Sequence, residues 1–169
     1  MIVRLESPTD RLASVEVERA AFGQPLESTI VEAVRDEAGS FALVAEFEGD
    51  IVGHVQLSRA RVGETDVLAL GPIGVLPESQ RRGIGSSLVR AALDEARRRG
   101  ESAVILLGDP STYGPLGFVP ASRYGLRNPF AGMQEKDFVI AEEDFQIAVL
   151  DGARAARLEG DVRWHPAFG

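Results

Sequence analysis

The chain of 169 residues contains no cysteine and only two histidines, His54 and His165. Without thiols it has no disulfide framework, no thiolate zinc site and no catalytic cysteine, and two histidines are too few to suggest a metal cage. Chemistry therefore falls to oxygen and nitrogen side chains, backbone groups or an organic cofactor, with no metal expected. Long apolar runs are also missing. The N-terminus, "MIVRLESPTDRLASVEVERAAF", turns polar at once, and no later run approaches the roughly 20 residues of a membrane span. The expectation is a cytoplasmic protein that does not enter a membrane. Positive charge is scarce, since 18 Lys and Arg face 26 Asp and Glu for a formal net charge of -8. That balance argues against nucleic-acid binding, where neutralisation of phosphate dominates affinity. Low-complexity segments, linkers and internal repeats are absent too, so one domain spanning 1–169 is expected.

What is present is a sequence of short, well-punctuated elements. "IVRLE" reads as a first strand, and Thr9 or Asp10 can cap a helix reaching about Ala21. A second helix follows Pro25, with Leu26, Ile30, Val34 and Ala38 on one stripe and Gly39 at its end. "FALVAEF" and "IVGHVQLS", joined by "EGD", read as a β-hairpin. "DVLALGPIGVLP" is an apolar strand whose internal Gly71-Pro72 suggests a bulge or a splay away from its neighbour. A helix marked by Leu88, Ala92 and Glu95 with Val89, Leu93 and Ala96 stops at Gly100. "SAVILLG" is a buried strand, "DPSTYGPLGF" a short helix and turn, and "DFVIAEED", "FQIAVL" and "GDVRWHPAF" read as closing strands. The order implies an α/β or α+β sandwich with a mixed sheet.

Six of the 18 basic residues lie in "QRRGIGSSLVRAALDEARRRG", residues 80 to 100. A helix start has four amide N–H groups without helical partners and about half a positive charge, so it attracts phosphate. Gly83 and Gly85 let a ligand approach the backbone, Ser86 and Ser87 can add hydroxyl donors, and Arg81 and Arg82 supply charge. The segment is not a dinucleotide fingerprint, because Leu88 occupies the third glycine position, and it lacks the Gly-Lys-Ser/Thr of a nucleotide triphosphate loop. The run Arg97 to Arg99 suits the helix C-terminus.

The remaining pattern, Q/R-x-x-G-x-G/A after a bulged strand, resembles the pyrophosphate-binding signature of the GNAT superfamily of N-acetyltransferases. "VILLGDPSTYGPLGF" resembles the fifth strand and fourth helix of such enzymes, with Tyr113-x-x-x-Gly117-Phe118 matching their Y-x-x-x-G-F pattern. The likeness to a bacterial subgroup of these enzymes covers essentially the full chain, with Thr112 standing where many of that subgroup carry a second tyrosine. The resemblance implies a mixed, mostly antiparallel central sheet flanked by helices and splayed at the cofactor strand. It implies acetyl-CoA as cosubstrate and a small-molecule or peptide amine as acceptor, acetylated by direct attack in a ternary complex; a homodimer is compatible. Residues Ile73, Gly74 and Val75 would hold the pantetheine arm, with the Ile73 amide directed at the acetyl carbonyl. The backbone of Arg81, Arg82, Gly83, Ile84, Gly85 and Ser86 would hold the pyrophosphate, and Tyr113 would protonate the departing thiolate.

The base that frees the amine is less defined. Some superfamily members use a Glu on the fourth strand, but Val67 to Leu76 contains no acid and the matching position is Ala69. His54 has a suitable ordinary pKa and, by strand alternation, shares a face with Val52 and Gln56. Glu27, Glu32 and Asp66 are further candidates. Two alternatives stay open: an acyl-CoA-binding sensor with no productive acceptor site, and a transferase for a larger acyl group.

Overall fold

The computed structural model describes all residues 1–169. In chain order the elements are β1 (Ile2–Leu5), α1 (Arg11–Phe22), α2 (Leu26–Val34), β2 (Phe41–Phe47), β3 (Asp50–Val62), β4 (Thr65–Val75), α3 (Ile84–Arg98), β5 (Ala103–Leu107), α4 (Pro110–Tyr113), β6 (Val119–Pro120), β7 (Gln134–Glu135), β8 (Phe138–Val139), β9 (Phe145–Val149), α5 (Gly152–Ala155) and β10 (Val162–Arg163). Two compact units share the long strands: Met1–Arg59, Leu70–Glu95 and His165–Gly169 form one, Ala60–Ala69 and Ala96–Trp164 the other.

In the first unit, β1 and β2 pair antiparallel from Ile2↔Glu46 to Leu5↔Leu43, and β2 and β3 pair from Phe41↔Leu57 to Phe47↔Asp50 around a two-residue turn. Glu48 and Gly49 both take positive φ there, at 52° and 93°, which the turn requires. Successive residues of β3 point to opposite faces. A Cβ placed on Gly53 would stand 3.0 Å from both Ile84 and Leu88 of α3, so this face admits the helix only because the side chain is missing. His54, on the opposite face, meets Glu18 of α1. α2 ends at Val34, four residues before the stripe expected from sequence, and it buries Ser28, Ile30, Val31 and Val34 while Leu26 stays exposed.

In the second unit, β4 runs parallel to β5 at Leu68↔Val104 and Ala69↔Ile105, and β5 pairs antiparallel with β9 from Ala103↔Val149 to Leu107↔Phe145. β6 adds to β9, and β10 adds to the end of β3 at Val162↔Val62. The core between these strands and the 3-10 turn at Ala121–Tyr124 contains Ile105, Phe145, Ile147 and Leu126, with Trp164 set edge-on to Phe130 at 5.8 Å. The sheet is thus mixed and mostly antiparallel, as expected. "DFVIAEED" does not form the strand read from its sequence. It splits into β8, which closes a small hairpin with β7, and a 3-10 turn at Glu142–Asp144, because Asp144 turns back to accept the amide of Ala141 at 2.8 Å.

The entry to α1 is fixed by charge. Asp10 accepts from Arg4 at 2.7 and 3.0 Å and from the Ser7 amide and hydroxyl at 2.7 Å each. These donors, Arg4 first, hold its carboxyl well below the ordinary value of 3.8. A depressed carboxyl adds stability above its unfolded pKa and loses it as pH falls below that value. Asp10→Asn should therefore cost about 2 kcal/mol near neutrality and flatten the fall in stability below about pH 4. Urea unfolding across that range checks both, and a parallel acid limb in the variant would contradict the assignment.

Candidate active site

The site region begins where β4 and β5 part. Their pairing is recorded at Leu68 and Ala69 and ends ahead of Gly71-Pro72, a cis peptide in which Pro72 offers no N–H. Beyond it, the Leu76 amide donates to Val52 O at 2.9 Å, and the Gln80 side chain donates to Val75 O at 3.0 Å. Gln80 of the signature thus ties the turn back to the strand before it. Ile73 and Val75 are half-buried, while Gly74 is buried against α1.

The glycine-rich turn then passes Arg81 at φ 59° and Gly83 at φ 79° into α3. The Ser87 amide donates to Gly83 O at 3.0 Å, which places the amides of Ile84, Gly85 and Ser86 ahead of the first helical bond. Residues 81 to 83 are exposed. The two glycines differ from the expectation in one respect: Gly83 needs its left-handed backbone, whereas Gly85 is helical and serves only by leaving space. The Ser87 hydroxyl is corrected too, since it bonds to Gly83 O at 3.0 Å and closes the turn rather than facing a ligand. The arrangement is an open helix start with positive charge beside it.

Tyr113 belongs to the second unit and stands at the end of α4. Asp109 caps that helix by accepting the Ser111 amide at 2.7 Å. The ring of Tyr113 lies edge-on to Phe118 at 5.9 Å and against the backbone of Gly108, where any Cβ would collide with it. Gly108 is clamped on both sides, its amide donating to Asp144 O at 2.9 Å and its carbonyl accepting from Gln146 Nε2 at 2.7 Å. Burial pushes the phenol above its ordinary value of 10.0, so the ring keeps its proton at neutral pH. Gly108 and Gln146 were not found from sequence, because a strand-end glycine and a strand glutamine carry no local signature of such a clamp.

His54 is fully buried on β3, and its Nδ1 lies 2.6 Å from Glu18 Oε1 of α1. Its Nε2 is 3.8 Å from Glu6 Oε1, which in turn is 3.9 Å from the Arg35 guanidinium. Glu18 is the partner of His54 that sequence reasoning missed. The signal was available: Ser14 and Glu18 fall one helical turn apart on the buried stripe of α1, so an acid occupied a core position. Burial raises the Glu18 carboxyl, against the lowering effects of His54 and the Gly74 backbone. A raised carboxyl keeps a proton that the unfolded chain gives up, so it weighs against folding as pH rises through the ordinary 4.5.

The other candidates separate by exposure. Glu32 is exposed, and Asp66 is paired with Arg61 at 3.2 Å. Ala69 is fully buried opposite Ile105 and carries no titratable group. Glu27 is half-buried and accepts from Gln24 at 3.0 Å. His165 accepts the Ala167 amide through Nδ1 at 3.1 Å and caps the last turn. Arg97, Arg98 and Arg99 are exposed at the end of α3 and its exit. No group of three or more His, Cys, Asp or Glu side chains is arranged to hold a metal ion, and no helix is long and apolar enough to cross a membrane.

Comparison with known proteins places the chain in a family. The uncharacterized N-acetyltransferase YhbS of Escherichia coli strain K12 is 28% identical over 172 aligned positions, covering 99% of this chain and 98% of that one. A crystal structure of the Escherichia coli YhbS in complex with CoA has a TM-score of 0.84 at 27% identity, over 99% of this chain and 91% of that one. A GNAT family acetyltransferase from Brucella melitensis, crystallised in complex with acetyl-CoA, has a TM-score of 0.75 at 30% identity, over 99% and 97% of the two chains. The model of the GNAT acetyltransferase family matches residues 9–113, a span that takes in α1, β4, the glycine-rich turn and Tyr113. The chain belongs to the GNAT family of acetyltransferases.

Proposed function

We propose that this single 1–169 domain transfers the acetyl group of acetyl-CoA to a primary amine by direct attack in a ternary complex. The observation that carries this reading is the start of α3: partnerless amides at Ile84, Gly85 and Ser86, an exposed left-handed Gly83 and two exposed arginines. Such a start takes a pyrophosphate through backbone donors and the helix dipole together. The relatives crystallised with CoA and acetyl-CoA support the choice of ligand.

The strand before the turn supplies the rest of the cofactor site. Ile73, Gly74 and Val75 follow the end of the recorded pairing with β5, so their peptide groups are candidates to bond the pantetheine arm as an added strand. The Ile73 amide serves as a single oxyanion donor, an interaction whose loss costs about 3 kcal/mol in other acyl-transfer sites. Attack by the neutral amine on the thioester carbonyl carbon forms the tetrahedral adduct. Its collapse breaks the C–S bond, and the departing thiolate takes the phenolic proton of Tyr113, which recovers one from solvent. The elevated phenol pKa is consistent with a donor that is never lost to solvent before the thiolate forms. His54 enters this scheme as part of the base, through the carboxylate it binds.

Two measurements test the reading. Saturating acetyl-CoA, at about 100 times its Kd, should stabilise the protein by about 2.7 kcal/mol. Gly83→Asp, which puts a strained side chain and a negative charge at the phosphate position, should abolish that thermal shift; a variant stabilised as well as the wild type would remove the cofactor assignment. Tyr113→Phe should lower kcat by on the order of 10²-fold while leaving the KM for acetyl-CoA nearly constant. An unchanged kcat would end its role as the acid.

A further inference from the structure

Gln146 is a polar residue at a core position. Its neighbours on β9, Phe145 and Ile147, belong to the cluster packed against Trp164, so Gln146 points to the other face of the sheet, where it is fully buried. Its Oε1 has no hydrogen-bond partner, and a half-satisfied amide in the core is costly to retain. Its Nε2 gives the reason for the residue. The ladder between β5 and β9 runs to Leu107↔Phe145, and Gly108 and Asp144 come next in register. Residues opposed in this way exchange two hydrogen bonds, one in each direction. Here the Gly108 amide donates to Asp144 O at 2.9 Å, but the Asp144 amide is drawn into the 3-10 turn at Glu142–Asp144 and donates to Ala141 O at 3.3 Å. The Gly108 carbonyl is thereby deprived of its strand donor. Gln146 Nε2 fills that place at 2.7 Å.

What the substitute bond holds still is the surface under Tyr113. Gly108 is the residue through which the chain leaves β5, and glycine has the widest choice of backbone angles of any residue. It has to be glycine, since a Cβ there would stand 2.8 Å from Tyr113 Cδ2. α4 itself is a single turn of four residues, too short to fix the ring by its own hydrogen bonds. We propose that Gln146 is a positioning residue for acetyl transfer: by holding the Gly108 carbonyl it fixes the surface against which the Tyr113 ring lies, and with it the direction from which the phenolic proton is given. The inference rests on the acetyl-transfer reading above, with Tyr113 as the acid, and adds the residue that aims it. The proton balance is that of the reading: the O–H bond of Tyr113 breaks, an S–H bond forms on the departing thiolate, and Gln146 exchanges no proton. Gly108, Tyr113, Asp144 and Gln146 all belong to the second unit.

The experiment follows the Tyr113 ring directly and then its chemistry. The whole protein is labelled with 3-fluorotyrosine; its two tyrosines give two fluorine resonances, and the one lost in Tyr113→Phe is assigned to Tyr113. Gln146→Met keeps an unbranched side chain of similar length and removes the donor. Its Tyr113 resonance is expected to move or split, with Tyr124 as the internal reference; a Tyr113 resonance identical to the wild type overturns the proposal. Gln146→Asn, which draws the amide back by one methylene, is expected to do the same and carries the test if the methionine variant fails to fold, as its melting temperature would report. For an amine that the wild type acetylates, Gln146→Met should lower kcat about tenfold with the KM for acetyl-CoA unchanged. In a Tyr113→Phe background the same substitution should cost nothing further, because the group it aims is gone. An equal loss in both backgrounds would make Gln146 a purely structural residue and overturn the proposal. The acetyl-transfer reading fails differently: Tyr113→Phe alone would then leave kcat unchanged, whatever Gln146→Met does to the ring.

Discussion

The end of β4's pairing with β5 ahead of Gly71-Pro72 is the constraint on which the site depends. A strand satisfied on both edges has no peptide groups to offer, and recorded pairing with β5 ends at Ala69. Gly71 and Pro72 come next, one without a side chain and the other without an N–H, and neither suits a continuous ladder. From this break the chain runs through Ile73, Gly74 and Val75 to the turn at Gly83, so the proposed oxyanion donor, pantetheine edge and pyrophosphate cradle lie on one stretch of fourteen residues from Ile73 to Ser86. Backbone groups dominate it. Their positions are set by the fold rather than by side-chain rotamers, which pre-organises the donors before any ligand arrives.

Two side-chain arrangements complete the account, one in each unit. In the second unit, the clamp on Gly108 from Asp144 and Gln146 gives Tyr113 a flat surface to rest on. In the first, α1 buries a carboxylate against His54 under the same strand that carries Gly74. Each arrangement places a titratable group in a setting that raises its pKa, by burial in both cases. The consequence differs with the chemistry. A phenol raised from 10.0 remains a proton donor, whereas a carboxyl raised from 4.5 becomes a better proton acceptor once it ionises.

Much of this was legible in the sequence, and the reasons are local. Gly83 and the helix after it announce themselves through a left-handed position, a cap and helical spacing, all within a few residues. The hairpin at Glu48-Gly49 and the break at Gly71-Pro72 are read from turn chemistry in the same way. The readings that failed needed distant partners. α2 stops early because its buried face follows Ile30, Val31 and Val34 rather than Leu26 and Ala38. "DFVIAEED" turns instead of extending because Asp144 captures the amide of Ala141. Glu18 was overlooked because its partner, His54, lies 36 positions away.

The central claim is that the free amides at the start of α3 bind the pyrophosphate of acetyl-CoA. Two-dimensional amide NMR of nitrogen-labelled protein, recorded with and without CoA, tests it most directly. The account predicts that the amides of Gly83, Ile84, Gly85 and Ser86 shift downfield most strongly, as hydrogen bonds to phosphate form where none exist in the helix. If these four amides stay in place while CoA binds and others move, the ligand sits elsewhere and the account is wrong.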